Sequence, residues 1–144
     1  GLGFAHPRIV AGLSKVKDSY NLCRLSIAAG EAALRDIGWM EKNVARIRRT
    51  RSALVAALPA LGFLPFPSQS NFVLARRPGG RSARPVYEEL KAGKILVRWF
   101  DTPRLRDSIR ITVGTDAEIA ALLDALARIT GSRSSSRRRG CATR

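Results

Sequence analysis

Hydrophobic and small residues recur at helical spacing as far as Pro59, and beyond it the pattern switches to short β-branched and aromatic runs. Residues 2–5 form a short apolar run that reads as the end of a strand. His6-Pro7 then opens a helical pattern with Ile9, Val10 and Leu13 on one side, expected to end near a turn at residues 18–21. Leu22, Leu25, Ala29, Ala32 and Ala33 mark a second helical stretch that reaches Ile37. After Gly38 a third carries Val44, Ile47, Leu54, Val55 and Leu58 until Pro59 stops it. Two long amphipathic helices are therefore expected to join near Gly38, with Arg46, Arg48, Arg49 and Arg51 on their exposed faces.

Phe63 and residues 71–75, 95–100 and 109–113 read as strands, with turn residues between them. Between the second and third lies a helix that Pro85 can start, with Val86, Tyr87 and Leu90 inward and Gly93 as its stop. Thr115, followed three residues later by Glu118, predicts a capping box in which each side chain accepts a backbone N–H left orphaned at a helix start. Ile119, Leu122, Leu123, Leu126 and Ile129 then form one apolar stripe that Gly131 closes. The expected class is α+β, a small sheet with helices packed on one face, preceded by long connecting helices. No internal repeat is present. Residues 131–144, GSRSSSRRRGCATR, have no apolar periodicity and cannot bury enough surface to offset the entropy of ordering them, which predicts a disordered tail.

Composition sharpens this picture in three places. The 144 residues include 26 Lys and Arg against 11 Asp and Glu, for a formal charge of +15. Five of the arginines lie in residues 131–144, where there is no acid, which leaves 21 bases against 11 acids in residues 1–130. Cys23 and Cys141 are too few and too far apart for a disulfide framework or metal-ligand spacing, so reduced thiols and a cytoplasmic setting are the expectation. The longest uncharged run, residues 52–75, contains Pro59, Pro65 and Pro67, so no membrane crossing of about 20 apolar residues is expected. The opening GLGFAHP has neither an initiating Met nor a signal-peptide pattern and reads like a chain entered in the middle.

Generic enzyme motifs are missing. His6 is the sole histidine, with no Cys near it in sequence, so material for a zinc site or a Cys–His pair is lacking and His6 reads as a loop residue. There is no GxSxG, Walker or dinucleotide glycine pattern, and no evident pair of carboxylates for glycoside chemistry. What stands out is a pair of strand arginines. In residues 108–113 alternation puts Ile109, Ile111 and Val113 on one face and Arg110 with Thr112 on the other. A guanidinium fixed on a strand offers two parallel donors to a carboxylate or phosphate. Arg98 follows Ile95, Leu96 and Val97 at the end of another strand and can converge on the same side. The plainer reading makes each an exposed strand residue or the partner of an acid such as Asp101 or Asp107. For the tail, Arg137 to Arg139 can touch nucleic acid through phosphates, though no aromatic there supports base stacking, and a solvated extension without a partner is the expected outcome.

SIRITVGT, preceded by KILVRWFDTPRLRD, resembles the C-terminal region of the histidinol-phosphate aminotransferase family, pyridoxal-phosphate enzymes with the aspartate aminotransferase fold. LGFA resembles the strand shortly after that family's cofactor lysine, LSKVKDSYN its passage from large domain to interdomain helix, and QSNFVLA its first core strand of the small domain. The resemblance runs from Leu2 to about Ile129. It implies that residues 1–20 end a large cofactor-binding domain, that 21–60 are interdomain and small-domain helices, and that 61–130 are the small-domain sheet and helices, with 131–144 a basic tail. It also implies pyridoxal 5'-phosphate as cofactor, a phosphorylated amino-acid-like substrate and a homodimer in the complete enzyme. By position, Arg110 matches the arginine that grips the acidic group of the amino-acid substrate, and Arg98 a second arginine near the phosphate end. Tyr20 and Asn71 fall near the site, at the domain junction and on the small-domain strand. The family's cofactor lysine is expected upstream of residue 1, and its phosphate-binding arginine falls at Gly1. Lys15, Lys17, Lys42, Lys91 and Lys94 do not match the cofactor position, so the segment alone is expected to be inactive. Two other classes compete with this reading: a small basic nucleic-acid-binding protein, and a non-catalytic partner of a complete aminotransferase chain.

Overall fold

A computed structural model describes residues 3–131, which form two compact units divided between Met40 and Glu41. The expectation for the basic tail lies outside the described residues.

The first unit holds α1 (Pro7–Val16) and α2 (Arg24–Arg35), none of whose residues is buried. His6 is the N-cap of α1. Its Nδ1 accepts from the Arg8 backbone N–H at 3.3 Å, and Pro7 occupies a first-turn position where a missing N–H costs nothing. The predicted turn follows, gathered by Lys17, whose Nζ donates to the carbonyls of Asp18 and Tyr20 and to Asn21 Oδ1. Cys23 caps α2, and its exposed thiol is held below its ordinary value by hydrogen bonds from the Ser26 hydroxyl and backbone N–H. Two expectations need correction. Residues 3–6 form no strand, since a strand end needs a ladder partner and none of the described strands supplies one. The break between the long helices falls at Asp36, and Gly38 sits inside α3 (Ile37–Ala57). Asp36 leaves helical geometry at φ −114° and ψ 54°, and its Oδ1 accepts from the Trp39 N–H, so one side chain starts the next helix.

In the second unit α3 runs on to a 3-10 turn (Leu58–Leu61), where Pro59 ends the α pattern and Gly62 takes the left-handed conformation at φ +78°. The sheet comprises β1 (Leu64–Pro65), β2 (Phe72–Arg76), β3 (Arg98–Trp99) and β4 (Ser108–Thr112). Its order is β1-β2-β4-β3 and every pair is antiparallel. α4 (Arg84–Ala92) lies between β2 and β3 in sequence, and α5 (Asp116–Thr130) follows β4. Val73, Ala75, Ile109 and Ile111 face the helices, meeting Leu54 and Leu58, Val86 and Leu90, and Ile119, Leu122 and Leu126 in one core. Trp99 joins its edge by stacking on Tyr87 and donating from Nε1 to the Arg106 carbonyl at 2.9 Å. This is the expected α+β arrangement with helices on one face. Among the described residues no helix is long and apolar enough to cross a membrane.

The start of α5 is fixed as predicted. Thr115 Oγ1 accepts from the Glu118 N–H, and Glu118 Oε2 accepts from the Thr115 N–H at 2.7 Å and from its hydroxyl at 2.9 Å. Gly114 leaves room beside it, because a Cβ there would stand 2.5 Å from Glu118 Oε2 and displace that carboxylate from the box. At the other end Gly131 closes the helix at φ +70°. Thr115→Ala is expected to cost about 1 kcal/mol of stability in urea unfolding. The two donors from Thr115 hold the Glu118 carboxyl below its ordinary value, so the box stabilises the fold above the ordinary carboxylate range and weakens as pH falls through the depressed value. Glu118→Gln, which keeps an acceptor but has no proton to gain, should flatten that acid limb in a pH series of thermal unfolding.

Candidate functional site

β4 is a central strand, so whatever its solvent-side residues carry is flanked by β2 on one side and β3 on the other. Arg110 is the half-buried middle residue of β4, directly opposite Leu74 on β2 and Arg98 on β3. Directly paired residues point to the same face, so Arg98 and Arg110 stand side by side on the face away from the core. Arg98 opens β3, where the sequence pattern put it at a strand end, because residues 95–97 take no ladder bonds. Two guanidinium groups placed across neighbouring strands repel, and directly opposed like charges destabilise a sheet.

The usual remedy, an acidic neighbour, is absent among the described residues. Ion pairs there are confined to Arg35–Glu31 and Arg84–Glu88. Asp107 Oδ1 instead accepts from the Ser108 hydroxyl at 2.8 Å. The reading in which Arg98 and Arg110 serve as partners of Asp101 or Asp107 therefore fails. Arg110 Nε is buried and donates to nothing, a costly state for a charged group unless an acceptor arrives.

Aromatic rings surround these cations. Arg110 Cζ lies 5.3 Å from the centroid of Phe72 and 5.9 Å from that of Phe100, and Arg98 Cζ lies 5.3 Å from the same Phe100 ring. Neither Phe72 nor Phe100 is singled out by the sequence pattern. The signal that marks them is parity: Phe100 shares a strand face with Arg98, and Phe72 sits two register positions from the residue opposite Arg110.

Asn71 immediately precedes Phe72 and closes the ladder through its carbonyl, which accepts from Val113 N–H at 2.8 Å. Its Oδ1 accepts from Ser70 Oγ at 3.3 Å. The loop before it is built by Ser68, whose hydroxyl donates to the Phe72 carbonyl and accepts from Ser70 N–H. Arg51, expected on an exposed helix face, is half-buried instead and donates to the Ser70 carbonyl at 2.6 Å and to Gln69 Oε1. Tyr20 belongs to the first unit, where it is exposed. Thus the structure brings Arg98, Arg110 and the β2 end carrying Asn71 onto one sheet, while Tyr20 stands in the other unit. A cavity of about 440 Å³ between residues 94–97, β4 and α5 is lined by neither arginine.

A family model for class I and II aminotransferases matches residues 1–126. The chain is 43% identical over 131 residues to the histidinol-phosphate aminotransferase of Microcystis aeruginosa, covering 91% of this chain and 37% of that protein. It is 46% identical over 132 residues to the Synechocystis enzyme of the same name, covering 92% and 38%. The crystal structure of histidinol-phosphate aminotransferase from Sinorhizobium meliloti in complex with pyridoxal-5'-phosphate superposes with a TM-score of 0.77 at 26% identity, covering 89% of this chain and 35% of that one. The chain therefore spans well under half the length of the relatives it matches. A match that runs through both units, from the first helices to α5, places the chain in the class I and II aminotransferase family.

Proposed function

We propose that the chain is the C-terminal part of a histidinol-phosphate aminotransferase, contributing the substrate-gripping arginines to amino transfer between histidinol phosphate and 2-oxoglutarate. The observation that carries this reading is the Arg98–Arg110 pair, two cations on paired strand positions with no ion-pair partner among the described residues and one buried donor left open. Such a pair suits oxyanions, since a guanidinium receives carboxylate and phosphate in the same two-donor geometry. In this proposal Arg110 takes the acidic group of the amino-acid substrate and Arg98 the phosphate end, with Asn71 and Tyr20 contributing near the site. Residues 1–20 end the cofactor-binding domain, residues 21–60 link it to the small domain, and residues 61–130 are the small domain. A homodimer working in the cytoplasm is part of the same reading.

These residues fit the substrate-holding share of the chemistry and not the covalent share, because a guanidinium does not form a Schiff base and the unsatisfied donor at Arg110 calls for an acceptor. When bound, pyridoxal 5'-phosphate supplies an electron sink. Arg110 and Arg98 neutralise and orient the substrate, so its reacting end arrives in one geometry; bond breaking belongs to groups outside this segment. The lysine for that step is proposed to lie upstream of Gly1.

The test is donor specificity in the whole enzyme carrying this segment. Transfer from histidinol phosphate to 2-oxoglutarate should be efficient, and histidinol without its phosphate should be used about ten- to a hundredfold less well, the value of a charge-assisted contact of about 1.5–3 kcal/mol. Equal use of the two donors, or transfer only from unphosphorylated amino acids, would remove the assignment.

A further inference from the structure

We propose that Phe72 and Phe100 are positioning residues that hold the Arg110 guanidinium in its substrate-binding orientation, a role that rests on the reading of Arg110 as the substrate grip. Arg110 is a long, flexible side chain on a central strand, and nothing polar in the described residues anchors its buried Nε. An acid would anchor it, but at the expense of the donors and charge that the substrate needs. Ring faces avoid that conflict. They attract a cation through the aromatic quadrupole while accepting none of its strong N–H hydrogen bonds, so its donors stay free for a carboxylate.

The register explains how two rings reach one cation. Phe72 lies on β2 opposite Thr112, two residues along from Arg110, and so meets it diagonally. Phe100 follows β3, two residues beyond the Arg98 that pairs with Arg110, and meets it diagonally from the other side. The guanidinium is therefore confined from both neighbouring strands, at 5.3 and 5.9 Å from the two ring centroids. Phe100 is also shared with Arg98 at 5.3 Å, so one ring sets the spacing of both cations. A confined guanidinium loses less freedom on binding substrate, which appears as affinity.

The experiment uses the whole enzyme carrying this segment, with 2-oxoglutarate as the varied substrate. Phe72→Leu and Phe100→Leu, which keep apolar bulk and remove the ring face, should each raise KM about three- to tenfold and leave kcat within about twofold. Phe72→Tyr and Phe100→Tyr, which restore the face, should return KM to the parent value. In an Arg110→Ala background the Leu changes should add nothing, because there is no guanidinium left to hold. If Arg110→Ala raises KM but the Leu variants do not, or if they raise it equally in both backgrounds, the positioning role is overturned and the grip survives. If Arg110→Ala leaves KM unchanged, the grip falls and the positioning role falls with it.

Discussion

Arg110→Ala in the whole enzyme is expected to lower kcat/KM for 2-oxoglutarate about a hundredfold or more, with the visible absorbance of bound cofactor unchanged. The magnitude follows from what the side chain has on offer. Its Nε is buried and unsatisfied, so part of the guanidinium's desolvation has already been met by the fold before a carboxylate takes its terminal donors. A charge-assisted contact of this kind is worth about 3 kcal/mol, which corresponds to roughly two orders of magnitude in rate at limiting substrate. Arg110→Lys should recover only a small part, since a lysine supplies a point charge without the paired donors and cannot place them between the Phe72 and Phe100 rings. Steady-state kinetics beside the absorbance spectrum decides the matter. Kinetics equal to the parent's would sink the role given to Arg110, and loss of cofactor together with activity would show that it holds something other than substrate.

Leu126→Ala should be among the most damaging truncations in the second unit, costing about 2–5 kcal/mol in urea or thermal unfolding. Leu126 is fully buried at the centre of the α5 stripe, where it belongs to the same core as Leu54, Leu58 and Leu90. The sheet facing it is rigid, with Val73, Ala75, Ile109 and Ile111 locked in register, so the vacated space cannot collapse easily and the cavity adds to the lost transfer energy. Against a total stability of about 5–15 kcal/mol for a typical domain, such a loss is a large share. Leu123→Ala is the control. Leu123 is only partly buried at the flank of the same stripe and should cost clearly less. Equal losses at the two positions would mean that the stripe is packed differently from the arrangement described.

Features fixed by neighbours in sequence are legible from the residues alone. The Thr115–Glu118 box, the Gly131 stop, the Pro85 start and Gly93 stop of α4, and the turn after α1 each depend on a few consecutive residues, and each appears where the pattern puts it. The join between the long helices lies two residues from the expected Gly38, because the break is made by the Asp36 carboxylate accepting from Trp39 N–H rather than by the more familiar glycine. Arg51 reads in sequence as one more solvated base on a helix face. Its contact with Ser70 spans 19 positions, and no helical periodicity reports such a contact. The site shows the same division. Alternation alone puts Arg110 on the face opposite the core, but its direct pairing with Arg98 and the approach of Phe72 and Phe100 depend on which strands neighbour β4 and in what register. Those are set by the fold as a whole.

The two border strands of the sheet have a consequence for how the protein behaves when crowded. β1 and β3 are each two residues long, and β1 ends in Pro65, which has no N–H to donate. A border that short offers another chain almost no row of free peptide groups to extend, and intermolecular strand addition needs such a row. β3 also carries the exposed charge of Arg98, which an added strand would have to pack beside. The sheet is thus terminated at both margins by its own geometry and charge, which disfavours fibril-like association.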